Sequence, residues 1–446
     1  MARVEHEGPD PRRQILEKIE KRSLSAAVVG LGYVGLPLAL EMARSGYRVV
    51  GVDSDSARAT AVNEGRSYIG DVVEADLKSL VADGRLSASD DYAQLADCDA
   101  VVICVPTPLR KTRDPDLSFI IAAVKNVARY LKPGKLVVLE STTYPGTTEE
   151  LVRPMLEEGG MRAGTEFFLA FSPERVDPGP AHSKFNIVNV PKVVGGVTAA
   201  CTEVASAFYG AVVDTVVPVS SSRVAEMVKL LENTFRSVNI AMANELALMC
   251  HEMGLDVWEV IEAAKTKPYG FQAFYPGPGL GGHCIPVDPF YLAWKARLHG
   301  FEPRFIELAG QVNTAMPKHV VTLAADLLNE HTKPLRGSRV HLLGMAYKPD
   351  VSDLRESPAL IIAEMLIRRG AELTFSDPHV DSVRLETGQV LTGTPAAEAP
   401  LEEMDLVIVV TDHRAFPWAE IVRRSPLILD TRNALKGVKG DHIHRL

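Results

Sequence analysis

A chain of 446 residues exceeds what one hydrophobic core usually serves, so two or three domains of roughly 100–200 residues each are expected. Apolar residues make up 46% and charged residues 24%, which is ordinary globular composition and excludes a disordered chain. The formal charge of −9 argues against non-specific nucleic-acid binding, which draws on clustered Lys and Arg, so any anionic ligand must find local positive charge.

No apolar run approaches the roughly 18–20 residues of a spanning helix, and the opening stretch Met1 to Arg22 is charged rather than signal-like. A cytoplasmic location with no membrane partner is the expectation. The five cysteines (Cys98, Cys104, Cys201, Cys250 and Cys284) are odd in number and widely spaced, with no Cys-x-x-Cys pair, which speaks against a disulfide framework or a zinc site.

From Ser25 short apolar runs alternate with helical patterns, the signature of a parallel sheet covered by helices. Ala26–Val29, Arg48–Val52, Ala100–Val105, Leu136–Glu140 and Glu166–Ala170 read as strands. In such folds ligands bind beyond the carboxyl ends of the strands, so Val105-Pro106-Thr107-Pro108, Ser141-Thr142-Thr143 and Ser172-Pro173-Glu174 point at a common crevice.

Between the first strand and a helix through Pro37–Arg44 stands Gly30-Leu31-Gly32-Tyr33-Val34-Gly35. Gly30 permits a tight turn, Gly32 lets the backbone approach a pyrophosphate, and Gly35 allows close helix–strand packing. Asp53, 18 residues after Gly35, ends the next strand, where its carboxylate can accept hydrogen bonds from both ribose hydroxyls of NAD and would repel the extra phosphate of NADP. Glycines serving packing alone are the plainer reading, but strand, helix and acidic residue together favour NAD.

From Ser222 to about Met253 no Gly or Pro interrupts apolar residues at helical spacing, which predicts one helix of roughly 30 residues, about 45 Å long, opening a second, all-helical domain. Glu226, Lys229, Asn233 and Arg236 form a polar stripe on it against Met227, Leu230, Leu231, Thr234 and Phe235. A solvated face is the ordinary reading of such a stripe, and the alternative is that Lys229 and Asn233 together hold a developing oxyanion.

Pro268 to Pro289 is dense in Gly and Pro and reads as an ordered loop carrying function. In Gly277-Pro278-Gly279-Leu280-Gly281-Gly282-His283-Cys284-Ile285-Pro286-Val287-Asp288-Pro289 four glycines crowd one cysteine. Free backbone N–H groups near its sulfur would favour a thiolate, and Asp288 could orient a water or a neighbouring amine. The other four cysteines sit in apolar patterns and read as small buried hydrophobes, and His283 has no partners at zinc spacing.

After Pro317 a smaller α/β series is expected, with strands at Arg339–Leu343, Glu372–Ser376, Asp405–Val410 and Leu427–Leu429 and a helix near Ala359–Arg369. The first and third segments could be one architecture used twice. Gly344-Met345-Ala346-Tyr347-Lys348-Pro349-Asp350 lacks the three-glycine pattern, while Lys348, Arg355 and Arg432 are either incidental surface charge or the cations that a diphosphate needs.

The glycine fingerprint, Ser172-Pro173-Glu174-Arg175, Lys229 with Asn233, the Gly-Gly-His-Cys loop and Lys348 with Arg355, in this order from about Ser25 to Arg432, resemble the nucleotide-sugar 6-dehydrogenase family. That family holds the UDP-glucose, GDP-mannose and UDP-N-acetylhexosamine dehydrogenases. The resemblance implies an α/β fold of two Rossmann-like domains with parallel sheets, joined by a central helical domain containing one long helix. The implied divisions are 1–23 as an N-terminal extension, 24–219 for NAD, 220–317 for dimerisation and 318–446 for UDP.

It also implies two successive oxidations of a C6 primary alcohol, through a cysteine thiohemiacetal and a thioester, to a uronic acid. Cys284 is then the nucleophile, Lys229 and Asn233 stabilise alkoxide and tetrahedral intermediates, Asp288 supports proton transfer, Glu174 assists hydrolysis, and Thr142 holds a water, with Thr143 the alternative. Cofactor contacts fall to Gly30, Gly32, Tyr33, Val34, Gly35, Asp53, Arg58, Thr107, Thr142 and Arg355. Substrate contacts fall to Glu174, Arg175, Lys229, Asn233, Tyr275, Gly281, Lys348 and Arg432.

His283 and Val287, where many UDP-glucose members carry Ser and Lys, resemble the N-acetylhexosamine branch, and Pro276 through Arg297 is most similar to its UDP-N-acetylglucosamine members. UDP-N-acetylmannosamine, UDP-N-acetylgalactosamine and UDP-glucose remain the other sugars. A homodimer or higher homo-oligomer and a product bound for cell-surface polysaccharide are family expectations. Two other classes compete: a two-electron β-hydroxyacid dehydrogenase, which needs no cysteine, and a non-catalytic NAD-binding protein.

Overall fold

Strand runs apolar at every position, such as Ala100–Ile103 and Leu136–Leu139, are stable only with both faces covered. The computed structural model describes residues 10–70, 72–110, 114–176, 185–282 and 284–446, and the chain divides into two compact units, Met1–Glu232 and Asn233–Leu446.

The first unit opens with α1 (Pro11–Glu20), β1 (Ser25–Val29), α2 (Gly35–Arg44), β2 (Arg48–Val52), α3 (Ser56–Asn63), α4 (Glu74–Ala82), β3 (Leu86–Ser89) and β4 (Ala100–Ile103). It continues with α5 (Ser118–Arg129), β5 (Leu136–Leu139), α6 (Arg153–Glu157), β6 (Phe168–Phe171), β7 (Lys192–Gly196), α7 (Ala199–Gly210) and β8 (Val216–Pro218). The division falls inside α8 (Ser222–Met253).

Among the described residues these strands form one sheet in the order β3-β2-β1-β4-β5-β6-β7-β8. Successive side chains of a strand point to opposite faces, and the two faces feed two cores. Ala26, Val28, Ala100, Val102, Leu136 and Val138 join the core made with α1, α2 and α7. Their neighbours Ala27, Val29, Val101, Ile103, Val137 and Leu139 join the core made with α5 and α6. Each fully buried Val, Leu or Ile there contributes about 1.5–3 kcal/mol, which is why the runs carry no polar residue.

Every pairing in the sheet is parallel except β6 with β7, where Ala170 stands opposite Gly196 and Phe171 opposite Gly195. The strand expected over Ala100–Val105 stops at Ile103, and that expected from Glu166 starts at Phe168 because Glu166 N–H turns back to the Arg162 carbonyl (3.0 Å).

The second unit contains α9 (Val257–Lys265), α10 (Asp288–Leu298), α11 (Arg304–Glu330), β9 (Arg339–Leu343), α12 (Pro358–Arg368) and β10 (Glu372–Ser376). The hairpin of β11 (Ser382–Arg384) and β12 (Val390–Thr392) follows, then β13 (Leu406–Val409), α13 (Trp418–Arg424), β14 (Ile428–Asp430) and β15 (Ile443–Arg445). Its main sheet is parallel throughout, in the order β10-β9-β13-β14-β15.

The chain was expected to begin a new series of elements at Pro317, but α11 runs through that residue. Proline removes one intrahelical hydrogen bond, to the Asn313 carbonyl. Its ring is buried, and Gly279, at φ +137°, packs so closely that a Cβ there would lie 3.3 Å from the Pro317 Cγ. Among the described residues no helix is long and apolar enough to cross a membrane.

His341, wholly buried on β9, is held between Thr374 Oγ1 (2.8 Å from Nδ1) and Ser376 Oγ (2.9 Å from Nε2) of the neighbouring β10. Burial pushes its pKa down to about 4, so the folded state holds the ring neutral. A depressed folded pKa contributes stability that is complete above the unfolded value near 6.5 and is lost as pH falls toward 4, on the order of 3 kcal/mol. The apparent Tm of the wild type should therefore fall further between pH 7 and pH 4.5 than that of His341→Gln; parallel falls would contradict this role.

Candidate active site

The turn after β1 shows why its residue types are needed. Gly30 has φ +93°, and a Cβ on it would stand 2.7 Å from the Cys104 carbonyl oxygen. A Cβ on Gly35 would stand 1.8 Å from the Gly30 carbonyl oxygen, whereas one on Gly32 would meet no protein atom within 4 Å. The first and third glycines thus seat α2 against the strand, and the second keeps one face of the turn open to close approach.

Buried Asp53 ends the adjacent strand, and its Oδ2 accepts the Leu31 N–H (2.7 Å) and Arg58 Nη1 (3.4 Å). Tyr33 and Val34 lie in the turn, Tyr33 exposed, and Thr107 is buried beyond the end of β4. A pyrophosphate-accepting turn, an open helix N-terminus and a strand-end carboxylate fit NAD.

Beyond β5 the side chains of Thr142 and Thr143 differ. Thr143 is buried with its hydroxyl 2.7 Å from that of Thr147, while Thr142 is partly exposed and its hydroxyl has no hydrogen bond among the described residues. Wholly buried Glu226 of α8 clasps this segment, accepting Gly146 N–H (2.6 Å), Thr148 N–H (2.9 Å) and Thr148 Oγ1–H (2.7 Å). Burial pushes its pKa up to about 7, against the pull of those donors.

Glu174 follows β6. Its Oε1 accepts the N–H groups of Arg175 (2.7 Å) and Val176 (2.6 Å), and its Oε2 lies 3.2 Å from Lys192 Nζ. Burial alone would raise its pKa, but Lys192, the Val176 N–H and Lys229 outweigh it and hold the carboxyl below its ordinary range. Lys229 itself is buried on α8. Arg175 is committed to protein partners, to Glu232 (2.6 Å) and to the Pro191 carbonyl (2.7 Å).

In the second unit the Cys284 carbonyl accepts the N–H groups of Val287 (3.1 Å) and Asp288 (2.8 Å), so the cysteine opens the turn that leads into α10. Four of the five cysteines are buried and Cys284 alone is partly exposed. Asp288, also buried, accepts a hydrogen bond from the Asn233 side-chain amide. His283 lies outside the described residues.

The rest of this loop is pinned from three directions. Gly277 N–H donates to Asn244 Oδ1 (2.9 Å), and a Cβ on Gly277 would stand 2.7 Å from Arg432 Nη1. Gly282 N–H donates to the Arg355 carbonyl (2.9 Å), and a Cβ on Gly281 would stand 2.6 Å from that of Tyr347. The loop therefore meets Arg355 and Arg432, two of the three sequence-nominated cations, while Lys348 Nζ lies 5.5 Å from the Tyr347 ring centre. The Arg355 guanidinium grips Asp353 (Nη2 to Oδ2, 2.6 Å), and the Tyr275 hydroxyl donates to Glu262 (2.6 Å).

Three family models match the chain in order: the UDP-glucose/GDP-mannose dehydrogenase family NAD binding domain at residues 24–213, its central domain at 223–315 and its UDP binding domain at 341–437. The chain belongs to the UDP-glucose/GDP-mannose dehydrogenase family. It is 36% identical over 416 residues to the UDP-N-acetyl-D-mannosamine dehydrogenase of Pyrococcus horikoshii, covering 92% of this chain and 96% of the relative. Similarity to the UDP-N-acetyl-D-glucosamine 6-dehydrogenase of Pseudomonas aeruginosa is 35% over 409 residues, covering 90% and 94%. The solved structure of the Pyrococcus horikoshii UDP-D-ManNAc dehydrogenase superposes with a TM-score of 0.86 at 34% identity, covering 95% of this chain and 99% of that one. This member of the dehydrogenase family is accordingly an NAD-dependent nucleotide-sugar dehydrogenase with a UDP-binding domain.

Sequence reading had not singled out Glu140, Lys192, Tyr209 or Glu232. Glu140 was seen only as a strand end and Lys192 precedes an apolar run, and a charged residue at the mouth of a buried strand is the signal that would have found them.

The glycine geometry separates two effects. Gly32→Ala should melt like the wild type without NAD and lose at least about 2 kcal/mol of NAD binding, some 30-fold in Kd, whereas Gly35→Ala should lose both NAD binding and thermal stability. Differential scanning fluorimetry with and without NAD distinguishes them, and unaltered NAD stabilisation in Gly32→Ala would refute the assignment.

Proposed function

We propose that this dehydrogenase oxidises the C6 alcohol of a UDP-N-acetylhexosamine, in the first instance UDP-N-acetylglucosamine, to the uronic acid through covalent attachment to Cys284. The observation that carries the reading is the partial exposure of Cys284 in the turn that leads into α10, its carbonyl bonded to the N–H of an Asp288 whose carboxylate is held by Asn233.

In this reading Lys229 and Asn233 stabilise the alkoxide of the substrate, and then the tetrahedral adduct that the thiolate forms with the aldehyde carbon. NAD supplies the hydride acceptor for both oxidations. Asp288 accepts and returns protons near the sulfur. Water held by Thr142 then attacks the thioester carbonyl carbon, its proton passes to Glu174, and the carbon–sulfur bond breaks to regenerate the thiolate. Thr142 suits this role better than Thr143, whose hydroxyl is tied to Thr147.

The divisions 24–219 for NAD, 220–317 for dimerisation and 318–446 for UDP, with 1–23 as an extension, belong to the same reading. Within it Tyr33, Val34, Arg58, Thr107 and Arg355 serve the cofactor, and Arg175, Tyr275, Gly281, Lys348 and Arg432 serve the UDP-sugar. UDP-N-acetylmannosamine is the second reading for the sugar, favoured by the similarity to the Pyrococcus horikoshii enzyme. A cytoplasmic location and a product destined for cell-surface polysaccharide complete the proposal.

Assayed against a panel of epimeric UDP-N-acetylhexosamines and UDP-glucose, the protein should release two NADH per sugar consumed, with an N-acetylated sugar preferred. Cys284→Ser should slow turnover by about 100-fold or more at the second oxidation or hydrolysis stage. A ratio of one NADH per sugar, or full turnover by Cys284→Ala, would favour the two-electron class; binding without NADH would favour a sensor.

Val224, Met227, Leu231, Phe235, Met242, Met249 and Met253 recur along α8 at near-helical repeats and are each 38–62% exposed. A row of this kind supports a homodimer built on the long helix. Leu231→Glu should shift the mass measured by light scattering from dimer to monomer, and an unchanged mass would remove α8 from the interface.

A further inference from the structure

A buried cluster of charge sits behind Glu174, built by the one antiparallel pairing of the sheet. Because β7 runs opposite to β6, its first residue lies at the carboxyl end of β6 and of the strands parallel to β6. The register that sets Ala170 against Gly196 and Phe171 against Gly195 carries forward to set Glu174 against Lys192. A β7 parallel to β6 would send Lys192 to the far edge of the sheet.

The Lys192 side chain is 4% exposed, and its ammonium bridges Glu140 Oε1 (3.1 Å) and Glu174 Oε2 (3.2 Å). The Glu140 side chain is sealed from solvent, whereas that of Glu174 is 13% exposed, so only Glu174 can reach a reacting molecule. The buried Tyr209 hydroxyl donates to Glu140 Oε1, while Glu140 Oε2 has no hydrogen-bond partner among the described residues. Burying a carboxylate with an unmatched oxygen is costly, and burying a lysine without a counter-charge is costlier.

We propose that Lys192, anchored by Glu140, is a positioning residue that fixes the Glu174 carboxylate as the proton acceptor for thioester hydrolysis. This rests on the reading of Glu174 given above and names the device that sets its state. Glu174 Oε1 is held by two backbone N–H groups and Oε2 by the ammonium, which fixes the rotamer and the charge together. The charged and titratable groups that face the cluster are Lys192, Lys229, Glu140, Tyr209 and Cys104. Of these only the two lysines favour the ionised form of Glu174. Only an ionised Glu174 can take the proton from the attacking water, and without the ammonium it would stay protonated to higher pH.

The test uses the full-length enzyme with NAD and its preferred UDP-sugar. Lys192→Met should move the acidic limb of kcat upward by about one pH unit or more, accumulate acyl-enzyme visible by intact mass after a normal first NADH burst, and leave KM within about two-fold. Lys192→Arg should restore much of the wild-type limb. Should Lys192→Met not fold, Lys192→Gln, which keeps a donor but no charge, should give the same shift.

An unmoved acidic limb, or activity lost equally at every pH with no acyl-enzyme, would overturn the positioning role. Glu174→Gln separates the two claims. If it slows hydrolysis while the Lys192 variants do not, this inference fails alone; if it leaves hydrolysis intact, the reading of Glu174 fails.

Discussion

One hydrogen-bonded constraint recurs in both units, and the turn after the first strand of each sheet depends on it: a strand-end aspartate accepts the N–H of the turn that follows the neighbouring strand. In the first unit Asp53 holds Leu31, and in the second Asp377 holds Met345 (2.7 Å) and Ala346 (3.0 Å). Each turn begins at a glycine with positive φ, Gly30 at +93° and Gly344 at +88°, pressed against the backbone that follows β4 or β13, at Cys104 or Thr411. The β2-β1-β4 and β10-β9-β13 orders match. One architecture is indeed used twice.

The two copies diverge in the turn itself rather than in how the aspartate is held. Asp53 stands beside a glycine turn with an open face. The second oxygen of Asp377 serves the His379 N–H (2.8 Å), and its first also takes the buried His413 ring (3.0 Å), whose other nitrogen accepts the Asp350 N–H (3.0 Å). Asp53 is engaged in a similar way, its other oxygen accepting the Asp55 N–H (2.9 Å), so what separates the turns is that buried Ala346 stands where the first has the open Gly32. In the proposed function Lys348 and Arg432 are the cations offered to the diphosphate, on a chain of net charge −9.

Much of this was legible in the sequence because parallel strands covered on both faces must be apolar at every position. Ala100–Ile103 and Leu136–Leu139 were legible for that reason, Arg48–Val52, Arg339–Leu343 and Glu372–Ser376 as short runs bounded by turn-forming residues, and Ser222–Met253 because nothing in it interrupts a helix. Pro317 misled because its ring is buried among neighbours that tolerate one lost hydrogen bond. Glu140 and Lys192 are 52 residues apart and Arg175 and Glu232 57, so the first pairing depends on sheet order and the second on where the segment after β6 meets α8, neither of which periodicity encodes.

The reversal of β7 shows why such pairings matter. A parallel sheet gathers the ends of its strands at one edge and offers few cations there, since strand interiors are apolar. Turning β7 around, and β8 with it, places the residue at the start of β7, where a charge is tolerated, among those ends. Lys192 can then be buried because two carboxylates meet it, and Glu140 can be buried because the ammonium and Tyr209 meet it. Neither group would be stable there alone, so the reversal at β7 and the presence of three ionisable side chains form a single structural choice.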